Sequence, residues 1–463
     1  MKDLGNRSPT QEVYVNNRDI EWRKKKLEHM RQEIESGQLN AFRELLSNEV
    51  VQAICEDCGY YFRTRLLTPL ATIFHMIGAA VSRDNSFQSA WHLAGQSGKS
   101  GSLAKARKRL PLGVWQALHQ WTIGQIDLEN SSESLWRGHR MIGVDGTCIS
   151  MSETPELVER FGRCHVRHGY SRFPVARLSM AFNLKTLVIL NHEVGGYTAS
   201  ENGLLTPMLG QLKRGDILIA DRHFAGANLY AEYLASGVGF ITRAHHQLRI
   251  ERLEIIQVLG KGDILVKLPI NAQHRKRNPL LPEGVRIRLI ETTARIRGRR
   301  ETFWLATSLL DPKRYPAHEI QDWYKKRWKI ETLIEELKIW LGADVLRSQT
   351  AEGVLKELYA RMIALNLIHW LILKAGKKHN KKIERLSVSA TLRLAASYSL
   401  KISTAPAWQI PILYETLLER IASSSVPYRP NRIEPRMIKR ETKHYDMLKI
   451  SRAEWRSLHA VAA

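Results

Sequence analysis

MIGVDGTCIS, residues 141–150, is the stretch on which the fold turns. An apolar run there carries a single carboxylate, Asp145, followed by Gly146 and a small hydroxyl residue, and a β-strand ending in an acid is the economical reading. An unpaired carboxylate is costly in apolar surroundings, so an acid so placed has a chemical or ion-pairing task. GDILIADRHF, residues 215–224, repeats the pattern: a short apolar strand ends in Asp221, Arg222 and His223, and AGANLYAEYLASG then begins a helix. In an open α/β sheet the groups at the carboxyl ends of strands line the ligand crevice. Taken alone, either aspartate could also be half of a structural ion pair.

The third acid lies in IQDWYKKRWKIETLIEELKIWLGAD, residues 320–344. Tyr324, Arg327, Glu331 and Lys338 are spaced three, four and seven apart. At about 100° per residue one continuous helix would gather them within an arc of roughly 60°. Asp145, Asp221 and Glu331 together suit a two-metal site that cuts and joins nucleic acid, with Arg327 and Lys338 available for phosphate oxygens. The plainer alternative for the helix is a solvated surface laced by Arg327/Glu331 and Glu335/Lys338 pairs.

With these residues in place the chain resembles the DDE transposases of the insertion sequence 4 family. Their Tyr-x2-Arg-x3-Glu-x6-Lys signature is complete at Tyr324, Arg327, Glu331 and Lys338. FRTRLLTPLATIF (62–74) and ARKRLPLGVWQAL (106–118) are similar to stretches in the amino-terminal part of such proteins, so the likeness covers about residues 60 to 345. The resemblance implies an RNase H-like catalytic core, two Mg²⁺ ions held by Asp145, Asp221 and Glu331 (with Mn²⁺ able to substitute), and transposon terminal inverted repeats and target DNA as partners. It also implies end cleavage through a hairpin, transfer of the 3′-hydroxyl ends, and a homodimer that brings two ends together. Tyr324, Arg327 and Lys338 would grip phosphates near a turned-out base, with Arg222 as a further DNA contact. Trp304 and Trp328 are the candidates for stacking on that base, although Trp304 sits in the apolar run FWLATSLL, where core packing is an equal expectation. Glu335 departs from relatives that carry a basic residue at that position, which weakens transfer of the detailed DNA contacts. An RNase H-like nuclease or resolvase without strand transfer, and an inactive domesticated DNA-binding protein, are the rival readings.

Composition points the same way. Lys plus Arg number 70 against 46 Asp plus Glu, a formal charge of +24, which favours a polyanionic partner. Ribosomal and membrane-surface proteins can be equally basic. With 463 residues, 44% of them hydrophobic, the chain can bury a large core in two to four domains. The polar, charged start predicts no signal peptide. MIALNLIHWLILKAG (362–376) is short for a membrane span and reads as a buried helix, so a soluble cytoplasmic protein with no membrane partner is expected. The four cysteines make no disulfide framework. Cys55-x-x-Cys58 could be half a zinc site completed by Cys164, His165 or His168, or simply a pair of ordinary buried thiols.

The chain thus reads as an α/β protein: an RNase H-like catalytic core, a mixed sheet flanked by helices, interrupted by a β-rich insertion and framed by helical N- and C-terminal regions. Residues 1–138 form a helical region for DNA-end recognition or, alternatively, for dimerisation, with a basic opening EWRKKKLEHMRQEIESG and helices near 66–82 and 111–127. The first part of the core, 139–243, has strands near 141–150, 176–184 and 187–195 and a helix opening at Ser200. RFGRCHVRHGYSRF (160–173), rich in arginine and histidine, could hold a DNA backbone or be a solvated loop. Residues 244–310 are the β-strand insertion, with RGRR (297–300) as a hairpin tip. Within it, VRIRLIE would put Arg286 and Arg288 on one basic face. The second part of the core is 311–345 and carries the Glu331 helix. The helical C-terminal region, 346–463, has a long apolar helix near 350–376, segments near 385–400 and 411–422, and a basic tail from about 424 with Pro427, Pro430 and Pro435.

Overall fold

The structure is a computed structural model that describes residue 42 and residues 45–427, apart from 64–66, 83–85, 94–99, 131–134, 167–168 and 297–298, together with residues 450, 454, 457 and 458. The chain to Val426 forms one compact unit and the segment from Pro427 another. The basic opening at 21–37, Pro430, Pro435 and most of the proposed tail lie outside the described residues.

Among the described residues five helices come first: α1 (Asn48–Asp57), α2 (Pro69–Val81), α3 (Phe87–Leu93), α4 (Gly101–Arg109) and α5 (Leu112–Glu129). Their starts are written locally. Ser47 accepts the Val50 N–H to cap α1, and Thr68 accepts that of Ala71 ahead of Pro69 at the first position of α2. Then follow β1 (Leu135–Trp136), β2 (His139–Met151), α6 (Pro155–Phe161), β3 (Arg163–Val166), β4 (Gly169–Asn183), β5 (Ile189–Gly196), α7 (Glu201–Leu209), β6 (Ile217–Ala220), α8 (Ala227–Ala235) and β7 (Gly239–Arg243). Ser200 caps α7 through the Gly203 N–H, as its sequence position predicts. The order continues with β8 (Glu254–Gly260), β9 (Asp263–Pro269), α9 (Ala272–Arg277), β10 (Gly284–Ile296), β11 (Arg299–Thr307), α10 (Ala317–Lys325), α11 (Trp328–Glu335), β12 (Val345–Leu346), α12 (Ala351–Lys378), α13 (Val388–Thr404) and α14 (Ile410–Ser423).

The strands join in one mixed sheet of order β3-β4-β2-β6-β7-β11-β10-β9-β8, with β5 on β4 and both β1 and β12 on β2. β2, β4 and β5 run antiparallel in turn, whereas β6 lies parallel to β2 and β7 parallel to β6. The β-rich segment continues this sheet, because β11 pairs antiparallel with β7 and β10, β9 and β8 follow outward. The β10–β11 hairpin forms as expected, its turn at 297–298 lying outside the described residues. In the insertion expected at 244–310 the first strand begins only at Glu254, since Ile250–Arg252 is a 3₁₀ turn.

One expectation about this segment is overturned. Arg286 is exposed, but Arg288 is fully buried, as are Ile287 and Leu289 on either side of it. The reason is that β10 lies between β9 and β11 and is covered on both faces here, so period-two alternation does not sort solvent from core. Asp263 and the carbonyls of Leu309 and Tyr315 take up the guanidinium.

The 28-residue α12 is long and apolar enough to cross a membrane by length and composition, yet 83% of its most apolar window is buried inside the protein. It extends well beyond the apolar run at 362–376. Asn366 joins it to the sheet by accepting the Ile189 N–H at 2.8 Å and donating to the Ile189 carbonyl at 3.0 Å, as a neighbouring strand would. Cys55 is buried and its thiol is pushed up to about 12, by burial first and then by the charges of Cys58 and Glu56. No group of three metal-ligating side chains forms among the described residues, and His168 lies outside them.

Candidate active site

Strand register brings the two aspartates together. In the parallel β2–β6 pair, Gly143 stands opposite Ile219. Two residues further along each chain, just past the last paired residues, come Asp145 and Asp221, near enough for the charge of Asp221 to act on Asp145. Asp145 lies within its strand, not at its end: β2 runs on to Met151, in keeping with the strand expected near 141–150, supported by β4 and β12. β6 does end, at Ala220, so Asp145 stands beside an open strand terminus. Asp221 caps the 3₁₀ turn that follows, accepting the His223 N–H at 2.7 Å.

The pair is electrostatically uneasy. Asp145 is pushed up to about 6, chiefly by burial, with the charges of Asp221 and Glu201 adding to the rise. The Gly146 N–H, 2.8 Å from Asp145 Oδ1, and the Arg327 guanidinium pull the other way.

The segment carrying the third acid is not one straight α-helix. α10 stops at Lys325, and the next two N–H groups bond three residues back, Lys326 to the Trp323 carbonyl and Arg327 to that of Tyr324, both at 3.0 Å. α11 follows, and Glu336–Trp340 then widens into a π-turn, an irregularity that often accompanies functional sites. The uniform 100° step therefore fails in detail. Arg327 Nη2 nevertheless lies 3.2 Å from Glu331 Oε1 and its Nη1 lies 3.8 Å from Asp145 Oδ2, so one guanidinium links the two carboxylates. Tyr324 is buried beside Arg327, Asp221 and Arg243, and burial raises its phenol above the usual range, keeping it a neutral donor. Lys338 turns onto β2, donating to Thr147 Oγ1 at 3.2 Å and the Cys148 carbonyl at 3.0 Å.

Gly143 explains how this helix reaches the strand. A Cβ there would stand 2.6 Å from Ile330 Cδ1, so only glycine lets α11 settle on β2. Ile330 and Leu333 are buried in that contact face, which leaves Arg327 and Glu331 at the acidic end.

The aromatic candidates divide. Phe303, which the sequence did not single out, lies 6.0 Å from the Tyr324 ring and has the Arg243 guanidinium 4.4 Å from its centroid. Trp304, next in β11, points to the opposite face and packs partly buried against the core. Trp328 is 53% exposed, with the Arg327 guanidinium 5.3 Å from its ring centre. Arg222 is exposed in the turn after Asp221. Glu201, at the start of α7, is the other group missed: its charge reaches Asp145, and its carboxylate lies 3.5 Å from Arg177 and 3.7 Å from His223. In the sequence it looks like any acid in the first turn of a helix.

Among the described residues no three of His, Cys, Asp and Glu converge as a ready-made metal cage. The donor chemistry does fit a hard divalent cation. Asp145 within β2 and Asp221 just past β6 offer carboxylate oxygens, the charge of Asp221 raising Asp145, and Glu331 is joined to Asp145 through Arg327.

Comparison with known proteins adds the lineage. Residues 136–367 match the family described as the transposase DDE domain. Transposase InsG for insertion sequence element IS4 from Escherichia coli (strain K12) is 27% identical over 311 residues, 66% of this chain and 68% of that protein. The probable transposase for insertion sequence element IS5377 from Geobacillus stearothermophilus is 21% identical over 359 residues, 75% of this chain and 88% of that one. Among solved structures, a piggyBac transposase synaptic complex with hairpin DNA aligns over 82% of this chain and 84% of its own, with a TM-score of 0.41 and 10% identity.

Proposed function

The chain belongs to the transposase DDE domain family, and from that premise we propose that it is the transposase of an insertion sequence, cutting DNA at terminal inverted repeats and joining the 3′-hydroxyl ends to target DNA. The observation that carries the reading is the register that sets Asp145 beside Asp221, with Glu331 tied to Asp145 by Arg327. The strand order β5-β4-β2-β6-β7, three antiparallel strands followed by two parallel ones, supports an RNase H-like core with the β8–β11 segment as its insertion.

Asp145, Asp221 and Glu331 would hold two Mg²⁺ ions, for which Mn²⁺ can substitute, and bound metal would supply charge that activates the attacking oxygen and stabilises the leaving one. The protein's own groups then orient the phosphodiester. Arg327, which divides its two ends between Asp145 and Glu331, is within reach of any phosphate brought to those carboxylates. Lys338 spends two of its three donors on β2, which fixes the ammonium and leaves one N–H for a phosphate oxygen. Tyr324, held neutral, donates from its hydroxyl. Trp328 offers an exposed ring for a turned-out base, and Arg222 a second cation beside Asp221. Water nicks the strand at the transposon end, the freed 3′-hydroxyl closes a hairpin on the opposite strand, a second hydrolysis reopens it, and the end attacks target DNA. Residues 1–138 would recognise the repeats, and two copies of the chain would be needed to hold two ends together.

The test is cleavage of a labelled duplex carrying the element's own terminal repeat in Mg²⁺. End-specific nicks and hairpins that vanish in Asp145→Ala, Asp221→Ala and Glu331→Ala support the proposal. Cleavage without end preference or strand transfer would indicate a nuclease, and binding without cutting a domesticated DNA-binding protein.

A further inference from the structure

We propose that Glu201 is a positioning residue of the catalytic centre, a wedge that fixes the separation between the Asp145 strand and the Asp221 turn. The inference rests on the transposase reading and extends it to a residue outside the acidic triad.

Glu201 is the first residue of α7, whose start is held by the Ser200 cap. Its side chain does not run out into solvent along the helix. It lies across Gly146, where an added Cβ would stand 2.9 Å from Glu201 Cδ and 3.0 Å from its Oε1. Gly146 directly follows Asp145, and its N–H holds Asp145 Oδ1 at 2.8 Å, so what presses on Gly146 also orients that carboxylate. On the other side, Glu201 Oε2 is 3.7 Å from His223 Nε2, and the neighbouring Asn202 donates its amide to the His223 carbonyl at 3.2 Å. The His223 N–H in turn donates to Asp221 Oδ1 at 2.7 Å. Arg177 on β4 anchors the wedge from below, 3.5 Å from Glu201 Oε1. A continuous set of contacts thus runs from Asp145 through Gly146, Glu201 and His223 to Asp221, between strands whose direct pairing ends before either aspartate. A helix-opening acid that served only the helix dipole would need neither the glycine beneath it nor the histidine beside it.

The experiment uses the full-length protein and two readouts: Mn²⁺ affinity by calorimetry, and cleavage of the terminal-repeat duplex. Glu201→Ala should weaken Mn²⁺ binding and slow cleavage by about tenfold or more, the scale at which outer-shell partners act, while the KM for DNA and the melting temperature change little. Gly146→Ala, which displaces the wedge, should cause a similar loss in the natural protein and little further loss when added to Glu201→Ala. Asn202→Ala should give a smaller loss of the same kind, and serves as the test if Glu201→Ala does not fold. Unchanged Mn²⁺ affinity in Glu201→Ala, or additive losses in the double variant, would overturn the inference. Failure of the transposase reading looks different: the natural protein would then bind the repeat without cutting it, or cut without end preference, before any substitution at Glu201.

Discussion

Arg288, in the outer part of the sheet, donates from Nε and Nη2 to both oxygens of Asp263 at 2.7 and 2.5 Å, and its Nη1 meets the carbonyls of Leu309 and Tyr315. Arg327, beside β2, reaches Glu331 at 3.2 Å and Asp145 only at 3.8 Å. Arg288 answers a buried acid and Arg327 a half-buried one, and the first arrangement is closed where the second is not. Arg288 has 0% of its side chain in solvent and forms the bidentate geometry that a desolvated pair requires. The Glu331 side chain is 49% exposed, and Asp145 is still pushed up to about 6 despite the guanidinium nearby. A closed pair holds a sheet together; an under-compensated one has affinity left for a cation or a phosphate.

Four experiments break or sharpen this contrast. The largest effect belongs to the open arrangement: Asp145→Asn should lower cleavage on the order of a thousandfold, as losing several kcal/mol of transition-state stabilisation implies, without lowering the melting temperature. A variant that loses activity only by unfolding would put Asp145 in the same class as Asp263. In the closed arrangement the effects reverse. Asp263→Ala strands a buried guanidinium and should cost about 3 to 5 kcal/mol in denaturant titrations, whereas the joint change Asp263→Leu with Arg288→Met should recover much of that loss.

Gly143→Ala comes next. Its Cβ would meet Ile330 Cδ1 at 2.6 Å, and overpacking of this kind costs roughly 1 to 3 kcal/mol. Leu184 Cδ2 would be met as well, at 2.7 Å, but the part of the strain that falls on the helix of Glu331 should make cleavage suffer more than stability, and Ile330→Val should restore part of it; equal loss of both would place the glycine's role in folding alone.

The last effect is a pH slope. His119 and His192, packed with Tyr359 between α5, α12 and the sheet, are lowered by burial to about 3 and about 4, with His192 adding to the fall in His119. The unfolded chain therefore takes up protons near pH 6.5 that the folded one refuses, and stability should decline as pH falls from about 6.5 towards 4. Asp145 has the opposite sign: its raised proton affinity makes its penalty absent below about pH 4 and complete above about 6. Urea midpoints measured across that range should show a slope that flattens in His192→Gln and steepens in Asp145→Asn.

Local signals were readable in the chain wherever they were short-range. Ser200 announces the start of α7, and the residues 284–296 that read as a strand are those that form β10. The apolar run of α12 reads as buried and is buried. What misleads is any inference that treats an element as isolated. Arg288 breaks the alternation rule because β10 is covered on both faces, and Trp304 is turned away from the site by the same alternation that aims Phe303 at Tyr324. Of the helical wheel through Tyr324, Arg327, Glu331 and Lys338, Arg327 and Lys338 reach β2 and Glu331 pairs with Arg327, while Tyr324 packs beside Phe303, and two irregular turns replace the even helix on which it was drawn.

The chain alone determined which residue types are present for chemistry: two aspartates in apolar strands, a glutamate flanked by cations, and the spacing that makes the family recognisable. Those are properties of composition and of separations within a few residues. The tertiary structure alone decided that Asp145 and Asp221 stand side by side, because parallel pairing of β2 with β6 sets their register across 76 positions, from 145 to 221. It also decided that Glu331 is joined to Asp145 by Arg327 and that Glu201 lies against Gly146, since both depend on glycines, Gly143 and Gly146, whose missing side chains act on partners remote in sequence.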